Sequence, residues 1–365
     1  MNMKNTDKNL QLNNGVEKDI IWFNPQASDQ MRIYGFAWFD YDRLYRRLPA
    51  AATKLIRNIS PYVDNLADHT AGGQLHFRTD SDTVLIDVKL KEPNQMARMT
   101  AAAQGGFDCY VGSNYHHLKF YSLTTFPISA RSYRYEFFTA ISGDKLIIIN
   151  FPLYNKVENL KIGIRAGAVI LPPESVPNPG RIVVYGTSIT QGACASRPGL
   201  SYTNILSRRL GTEFINLGFS GNAFGEPEIA GIISNISDVK LFILDYEANA
   251  GTNGKLYLTL EAFILTIRKV YPTVDIAVVS RIKYLFDELN SETLGRVRQE
   301  IKDFQIGIVE KLRHAGDSKI HFIDGAMLLG DDYYECTVDS IHPNDIGFYR
   351  IASGLEKAIR KILKI

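Results

Sequence analysis

Past residue 175 the chain alternates short apolar runs with helical patterns, and this alternation leaves few folds open to it. Ile182 to Tyr185, Glu213 to Leu217, Leu241 to Tyr246, Asp275 to Ser280 and Ile320 to Asp324 read as strands, because they are short and rich in β-forming apolar residues. Between and after them, Tyr202 to Leu210, Leu256 to Val270, Glu292 to His314 and Ile346 to Leu363 read as helices. In the last of these Ile351, Leu355, Ile359 and Ile362 recur at helical spacing, while Lys357, Arg360, Lys361 and Lys364 crowd its carboxyl end, where positive charge suits the helix dipole. Five apolar strands with intervening helices predict a parallel sheet covered on both faces.

Before residue 175 the signals differ. Thr83 to Leu90 nearly alternates, and Tyr133 to Phe138, Lys145 to Asn150 and Leu160 to Ile164 are β-branched or aromatic runs separated by turn residues. This spacing predicts a β-sandwich. Pro172, Pro173, Pro177, Pro179 and Gly180 then interrupt both helix and central strand and read as a linker. The expected layout is a polar tail over 1–19, a β-sandwich over 20–175 and an α/β domain over 176–365, which suits a chain of 365 residues, longer than a single core usually grows.

Composition narrows the partners. A net charge of +2 with basic and acidic residues interleaved offers no field for nucleic acid or for an anionic membrane surface. The three cysteines, Cys109, Cys194 and Cys336, are an odd, widely spaced set that matches neither a disulfide framework nor a zinc knuckle. His69, His76, His116, His117, His314 and His321 show no ligand spacing, and His116 and His117, read as strand residues, would point their rings to opposite faces. No metal or organic cofactor is expected. The first twenty residues lack the apolar stretch of a signal peptide, and no run approaches the length of a membrane span, so the expectation is a soluble, cytoplasmic protein.

The chemistry-bearing residues fall where the predicted strands end. Ser188 follows the first strand in Gly186-Thr187-Ser188-Ile189-Thr190; Gly218 to Asn222 follows the second; Asp245 to Asn249 follows the third. In a parallel sheet all three open on one edge, the edge where ligands bind. Asp339-Ser340-Ile341-His342 follows the fifth strand and leads into the last helix. A serine in a turn is usually a turn former, and Asp-x-x-His before a helix can be part of a capping turn, with Asn344 or Asp345 as the cap. Together they supply what an ester hydrolase needs. Ser188 would be the nucleophile, His342 the general base and acid, and Asp339 the carboxylate that orients it; the Ser188 and Gly221 backbone N–H groups and the Asn249 side-chain amide would meet the oxyanion.

Gly186 to Thr190, Gly221, Asn249 and Asp339 to His342 resemble, in order and spacing, the four blocks of the SGNH or GDSL hydrolases. The resemblance implies a flavodoxin-like three-layer α/β/α fold, with Ser188, Gly221, Asn249 and His342 as the four name-giving residues and Asp339 completing the triad. Two departures stand out: Thr187 replaces the aspartate of Gly-Asp-Ser, and Glu247-Ala248-Asn249-Ala250 keeps only the asparagine of Gly-x-Asn-Asp, with Asn253 as the substitute. In the first half, Gly105-Gly106-Phe107-Asp108-Cys109-Tyr110 resembles the GxDLY signature of a β-domain found before some SGNH hydrolases, with Cys109 in place of leucine. Architectures of this kind are similar to carbohydrate esterases that remove acetyl groups, and others to acyltransferases.

The expected activity is therefore hydrolysis of a small acyl ester, such as an acetylated sugar, through an acyl-enzyme, with acyl transfer at the same site as the alternative. Two other readings stay open. Gly186 to Gly192 could wrap a phosphate, as in flavin-binding proteins, or the site could be a relict in a carbohydrate-binding protein. An α/β-hydrolase is disfavoured because Thr190 stands where Gly-x-Ser-x-Gly needs its last glycine.

Overall fold

The computed structural model describes residues 19–365; the first 18 residues of the polar N-terminal stretch lie outside the described residues. Ten strands precede the linker: β1 (Ile20–Phe23), β2 (Arg32–Tyr34), β3 (Gln74–Thr79), β4 (Val84–Leu90), β5 (Asp108–Gly112), β6 (Lys119–Leu123), β7 (Ser132–Phe138), β8 (Lys145–Asn150), β9 (Val157–Arg165) and β10 (Ile170–Leu171). They form two antiparallel sheets, β1-β9-β4-β7 and β10-β3-β8-β5-β6 with β2 paired to β3. Val84, Ile86, Val88 and Leu90 of β4 point into the shared core with Leu160, Ile162 and Ile164 of β9, as period-2 alternation requires. Strand β8 is buried along its whole length. Ile147 and Ile149 face the sandwich core, while Leu146 and Ile148 pack on Tyr110, Tyr115 and Val176 on the other side.

The second half is a five-stranded parallel sheet of order β12-β11-β13-β14-β15, built from β11 (Arg181–Gly186), β12 (Glu213–Gly218), β13 (Val239–Asp245), β14 (Asp275–Val279) and β15 (Ile320–Ile323). Val183, Tyr185, Phe242 and Val278 face helices Pro227–Ile233, Lys255–Val270 and Arg296–His314. Ile182, Val184, Ile243 and Val279 face helices Tyr202–Leu210 and Asp345–Leu363. This is the three-layer α/β/α domain with a β-domain before it that the alternation predicted. Helix Arg296–His314 starts later than its periodicity suggests, after a wide π turn at Ser291–Gly295.

The two halves are tightly joined. Helices Thr53–Ile59 and Pro61–Ala67, inserted between β2 and β3, put Ile56, Val63 and Ala67 into the same core as Val183 and Ile215. The GxDLY-like signature turns out to be a docking device. Fully buried Asp108 accepts from Arg197 Nη1 at 2.6 Å, Gly199 N at 2.8 Å and Asn150 Nδ2 at 2.7 Å. Arg197 also donates to the Tyr110 hydroxyl at 2.8 Å, so Tyr110 serves the interface more than the sandwich core. A side chain at Gly199 would put its Cβ 2.6 Å from the Asp108 carboxylate, and only glycine allows that approach. His116 and His117 lie in the 3-10 turn Tyr115–His117, a correction to their reading as strand residues; Asn114 caps this turn through its side chain and so ends the extended run.

Candidate active site

Parallel register assembles the site. Gly186 of β11 lies level with Gly218 of β12 and with Asp245 of β13, so the residues that follow the three strands emerge on one edge. Ser188 opens the short helix Ser188–Gln191 behind the cap Thr187. The two glycines make room for this turn. A Cβ on Gly186 would stand 2.0 Å from Thr190 Oγ1, and one on Gly218 would stand 2.2 Å from Gln191 N.

The His342 loop is pinned at both ends. Thr337 and Pro343 form an antiparallel bridge, Val338 N donates to His342 O at 2.8 Å, and Asn344 caps the last helix by accepting from Gly347 N at 3.0 Å. Between them Ser340 takes a φ of 68°, which closes the turn and brings Asp339 back onto His342. The Asp339 carboxylate accepts from His342 N at 2.8 Å, Ile341 N at 3.2 Å and His342 Nδ1 at 2.9 Å. Burial would raise this carboxyl, but the hydrogen bonds from the His342 backbone and ring and from Ile341 outweigh it and hold it at about 2.

An ionised carboxylate can only accept, so Nδ1 carries the ring proton and Nε2 presents a lone pair. That lone pair faces Ser188 Oγ at 3.0 Å. Hydroxyl, imidazole and carboxylate thus form one hydrogen-bonded chain, the arrangement through which a neutral serine can lose its proton.

The other two predicted residues sit beside this chain. Gly221 is exposed with a φ of 69°, and nothing lies within 4 Å of where a Cβ would be. Asn249, in the turn Glu247–Ala250 after β13, accepts from Ala223 N through Oδ1 at 3.3 Å. This ties it to the Gly221 loop and leaves its Nδ2 without a hydrogen-bond partner among the described residues. Asn253 instead donates to Asn249 O at 2.9 Å and accepts from Lys255 N at 3.1 Å.

Several residues around the chain had no motif to announce them. Arg98 donates to Asp339 Oδ2 at 2.7 Å from the segment joining β4 to helix Ala101–Gly105. Tyr154 donates to Ser188 O at 3.4 Å. Asp245 accepts from Thr190 Oγ1 at 3.0 Å and Tyr202 OH at 2.8 Å; burial pushes its carboxyl up to about 7 against the pull of those two bonds. A search for aspartates at strand ends could have found Asp245. Arg98 and Tyr154 carry no comparable signal.

Among the described residues no group of three or more His, Cys, Asp or Glu side chains is placed to hold a metal ion, and no helix is long and apolar enough to cross a membrane.

Residues 180–360 match the model of the GDSL-like lipase/acylhydrolase family, and residues 20–170 match the GxDLY domain found at the N-terminus of SGNH-hydrolase-type esterases. No match was found among curated proteins. A Bacteroides ovatus protein described as a GDSL-like lipase is 30% identical, with 95% of this chain and 99% of that one covered and a TM-score of 0.85. The salicylyl-acyltransferase SsfX3 of a tetracycline biosynthetic pathway is similar at 20% identity, 94% and 98% coverage and a TM-score of 0.76. An acetyl xylan esterase of the rumen bacterium Butyrivibrio proteoclasticus shares the fold at 11% identity, 94% and 99% coverage and a TM-score of 0.58. From β-domain to histidine loop, the chain belongs to the GDSL-like lipase/acylhydrolase family.

Proposed function

We propose that this protein is a serine esterase that hydrolyses a small acyl ester, an acetyl ester of a carbohydrate, through an acyl-enzyme. The observation that carries the proposal is the unbroken chain Ser188 Oγ to His342 Nε2 at 3.0 Å and His342 Nδ1 to Asp339 Oδ2 at 2.9 Å. Ser188 Oγ attacks the ester carbonyl carbon as its proton passes to His342 Nε2. The oxyanion is met by the N–H groups of Ser188 and Gly221 and the amide of Asn249. Collapse breaks the bond to the alcohol oxygen, which takes the proton from Nε2, and water repeats the sequence on the acyl-enzyme. The same Ser188 hydroxyl is engaged by His342, which favours this reading over a phosphate cradle at Gly186 to Gly192.

The test is a serine-reactive phosphonate followed by mass spectrometry, with turnover of an acetylated methyl glycoside measured alongside. Label on Ser188 and release of acetate support the proposal; label on another serine defeats it. The acyltransferase fold neighbour gives the experiment a second arm. Product formed on an added alcohol in preference to water would recast the protein as a transferase.

Removing one oxyanion donor costs about 10² to 10³ in rate. Asn249→Ala should lose that much in kcat, whereas Asn253→Ala, which removes only a local bond accepted from Lys255 N and one donated to Asn249 O, should lose little. The reverse result would move the donor to Asn253.

Arg98 adds a pH signature. Its guanidinium lies on the same Asp339 oxygen that accepts from the imidazole, so its charge opposes formation of the imidazolium. Arg98→Met should move the acid limb of kcat/KM to higher pH, by the small amount expected of a single exposed charge in high dielectric. The shift should shrink in high salt. An unmoved limb would leave Arg98 with no electrostatic role.

A further inference from the structure

The loop that carries Gly221 is anchored on both sides of it. At its root Phe219 is fully buried and its N–H donates to Gly186 O at 2.8 Å. Beyond it Asn222 N donates back to Phe219 O at 2.9 Å, and Ala223 N donates to Asn249 Oδ1 at 3.3 Å. Gly221 itself is exposed, with a φ of 69° and open space where a Cβ would be. A glycine so placed has little of its own to fix the direction of its N–H.

The peptide before it supplies that direction. The Ser220 carbonyl and the Gly221 N–H belong to one planar trans unit and point opposite ways, so holding the one aims the other. Asn222 Nδ2 donates to Ser220 O at 2.8 Å. The Ser220 N–H, on the other side of the same α-carbon, donates to Gln191 Oε1 at 3.1 Å. Both main-chain groups of Ser220 are therefore held by side-chain amides.

The Gln191 amide fits only one way round. It is fully buried in the same short helix as Ser188. Ser220 N needs an oxygen at one end, and Leu153 O, at 3.0 Å, needs a nitrogen at the other. That nitrogen also lies 3.3 Å from His69 Nδ1. One side chain thus joins the nucleophile turn, the Gly221 loop and the segment after β8.

We propose that Gln191 and Asn222 are positioning residues for the oxyanion: they hold the Ser220–Gly221 peptide plane so that the Gly221 N–H meets the oxyanion formed when Ser188 attacks. The proposal rests on the esterase reading and adds to it the residues that aim one of its donors.

Gln191→Leu removes the acceptor of Ser220 N, and Asn222→Ala removes the donor to Ser220 O. Each should lower kcat on a short-chain aryl acetate at least about tenfold, with a ceiling at the 10² to 10³ or so of a donor removed outright. KM should change little, because the interaction is made only in the transition state. Rates are counted per phosphonate-reactive Ser188, so unfolded protein does not enter. A smaller loss in kcat, or a loss carried by KM, overturns the proposal whatever happens to the melting temperature. The double variant should stay under the same ceiling, since both bonds serve one N–H; a larger loss overturns the proposal as well.

Gln191→Leu leaves Ser220 N and Leu153 O without their partner, a cost to stability. Where it does not fold, Asn222→Ala, a change in a half-buried side chain, decides alone. Failure of the esterase reading looks different, since wild type would then turn over no ester. A crystal structure of Asn222→Ala still judges the placement in that case. The Ser220–Gly221 plane should turn from its wild-type orientation, and an unmoved plane overturns the proposal.

Discussion

Ser188→Ala is expected to lower kcat on a short-chain aryl ester by about 10⁶-fold, the loss seen when a triad nucleophile is removed. The size follows from the geometry. The Ser188 hydroxyl is aimed at an imidazole lone pair 3.0 Å away, and no second hydroxyl shares that nitrogen among the described residues. The variant should fold. Ser188 is nearly buried at the head of a four-residue helix, whose cap bond is donated by Ile189 N to Thr187 Oγ1, so losing one oxygen leaves the turn's own bonds in place. The readouts are steady-state kinetics, the disappearance of phosphonate labelling and an unchanged melting temperature. Turnover within tenfold of wild type would mean that another group attacks the ester.

Asp339→Asn is the second large effect, expected at about 10⁴-fold in kcat, because an amide in place of the carboxylate favours the wrong imidazole tautomer. In the protein Asp339 accepts three bonds from the His342 loop and one from Arg98. An asparagine can keep its oxygen on the two backbone N–H groups, which leaves its NH₂ facing Nδ1. Nδ1 must then become the acceptor, Nε2 takes the proton, and Ser188 loses its base. The pH profile checks this separately from the rate. With its carboxyl held at about 2, Asp339 stays ionised while pH falls through the neutral and mildly acidic range. The acid limb of wild type should therefore follow a single proton, with no second ionisation until pH approaches that value. A limb of slope two near pH 4 would show that the carboxylate is not held down.

Much of the site was legible because its residues follow strand ends. Once the alternation of strands and helices implies a parallel sheet, Ser188, Gly221 and Asn249 must open on one edge, whatever the helices between them look like. Asp339 and His342 are three residues apart, so a single tight turn brings them together. The β-domain resisted reading for a related reason. Its strands β4, β7, β8 and β9 announce themselves by pattern, whereas β3, β5 and the helices Thr53–Ile59 and Pro61–Ala67 do not, because packing between domains dictates which of their faces are apolar. Asp108 and Tyr110 illustrate the point. As a signature they are visible in the chain, but their partners Arg197 and Gly199 lie some 90 positions away with nothing local to mark them.

By itself the sequence determined the α/β/α domain and the β-domain before it, and it singled out Ser188, His342 and Asp339 as the candidate hydroxyl, imidazole and carboxylate, because each rests on short-range periodicity or on the order of strands. Tertiary structure alone decided what surrounds them. Arg98 reaches Asp339 across 241 residues and Tyr154 reaches Ser188 across 34. The orientation of His69 passes through an amide on the nucleophile turn. Such contacts depend on how segments distant in the chain pack together, and that packing is set by the summed fit of many side chains, which leaves no period in the chain.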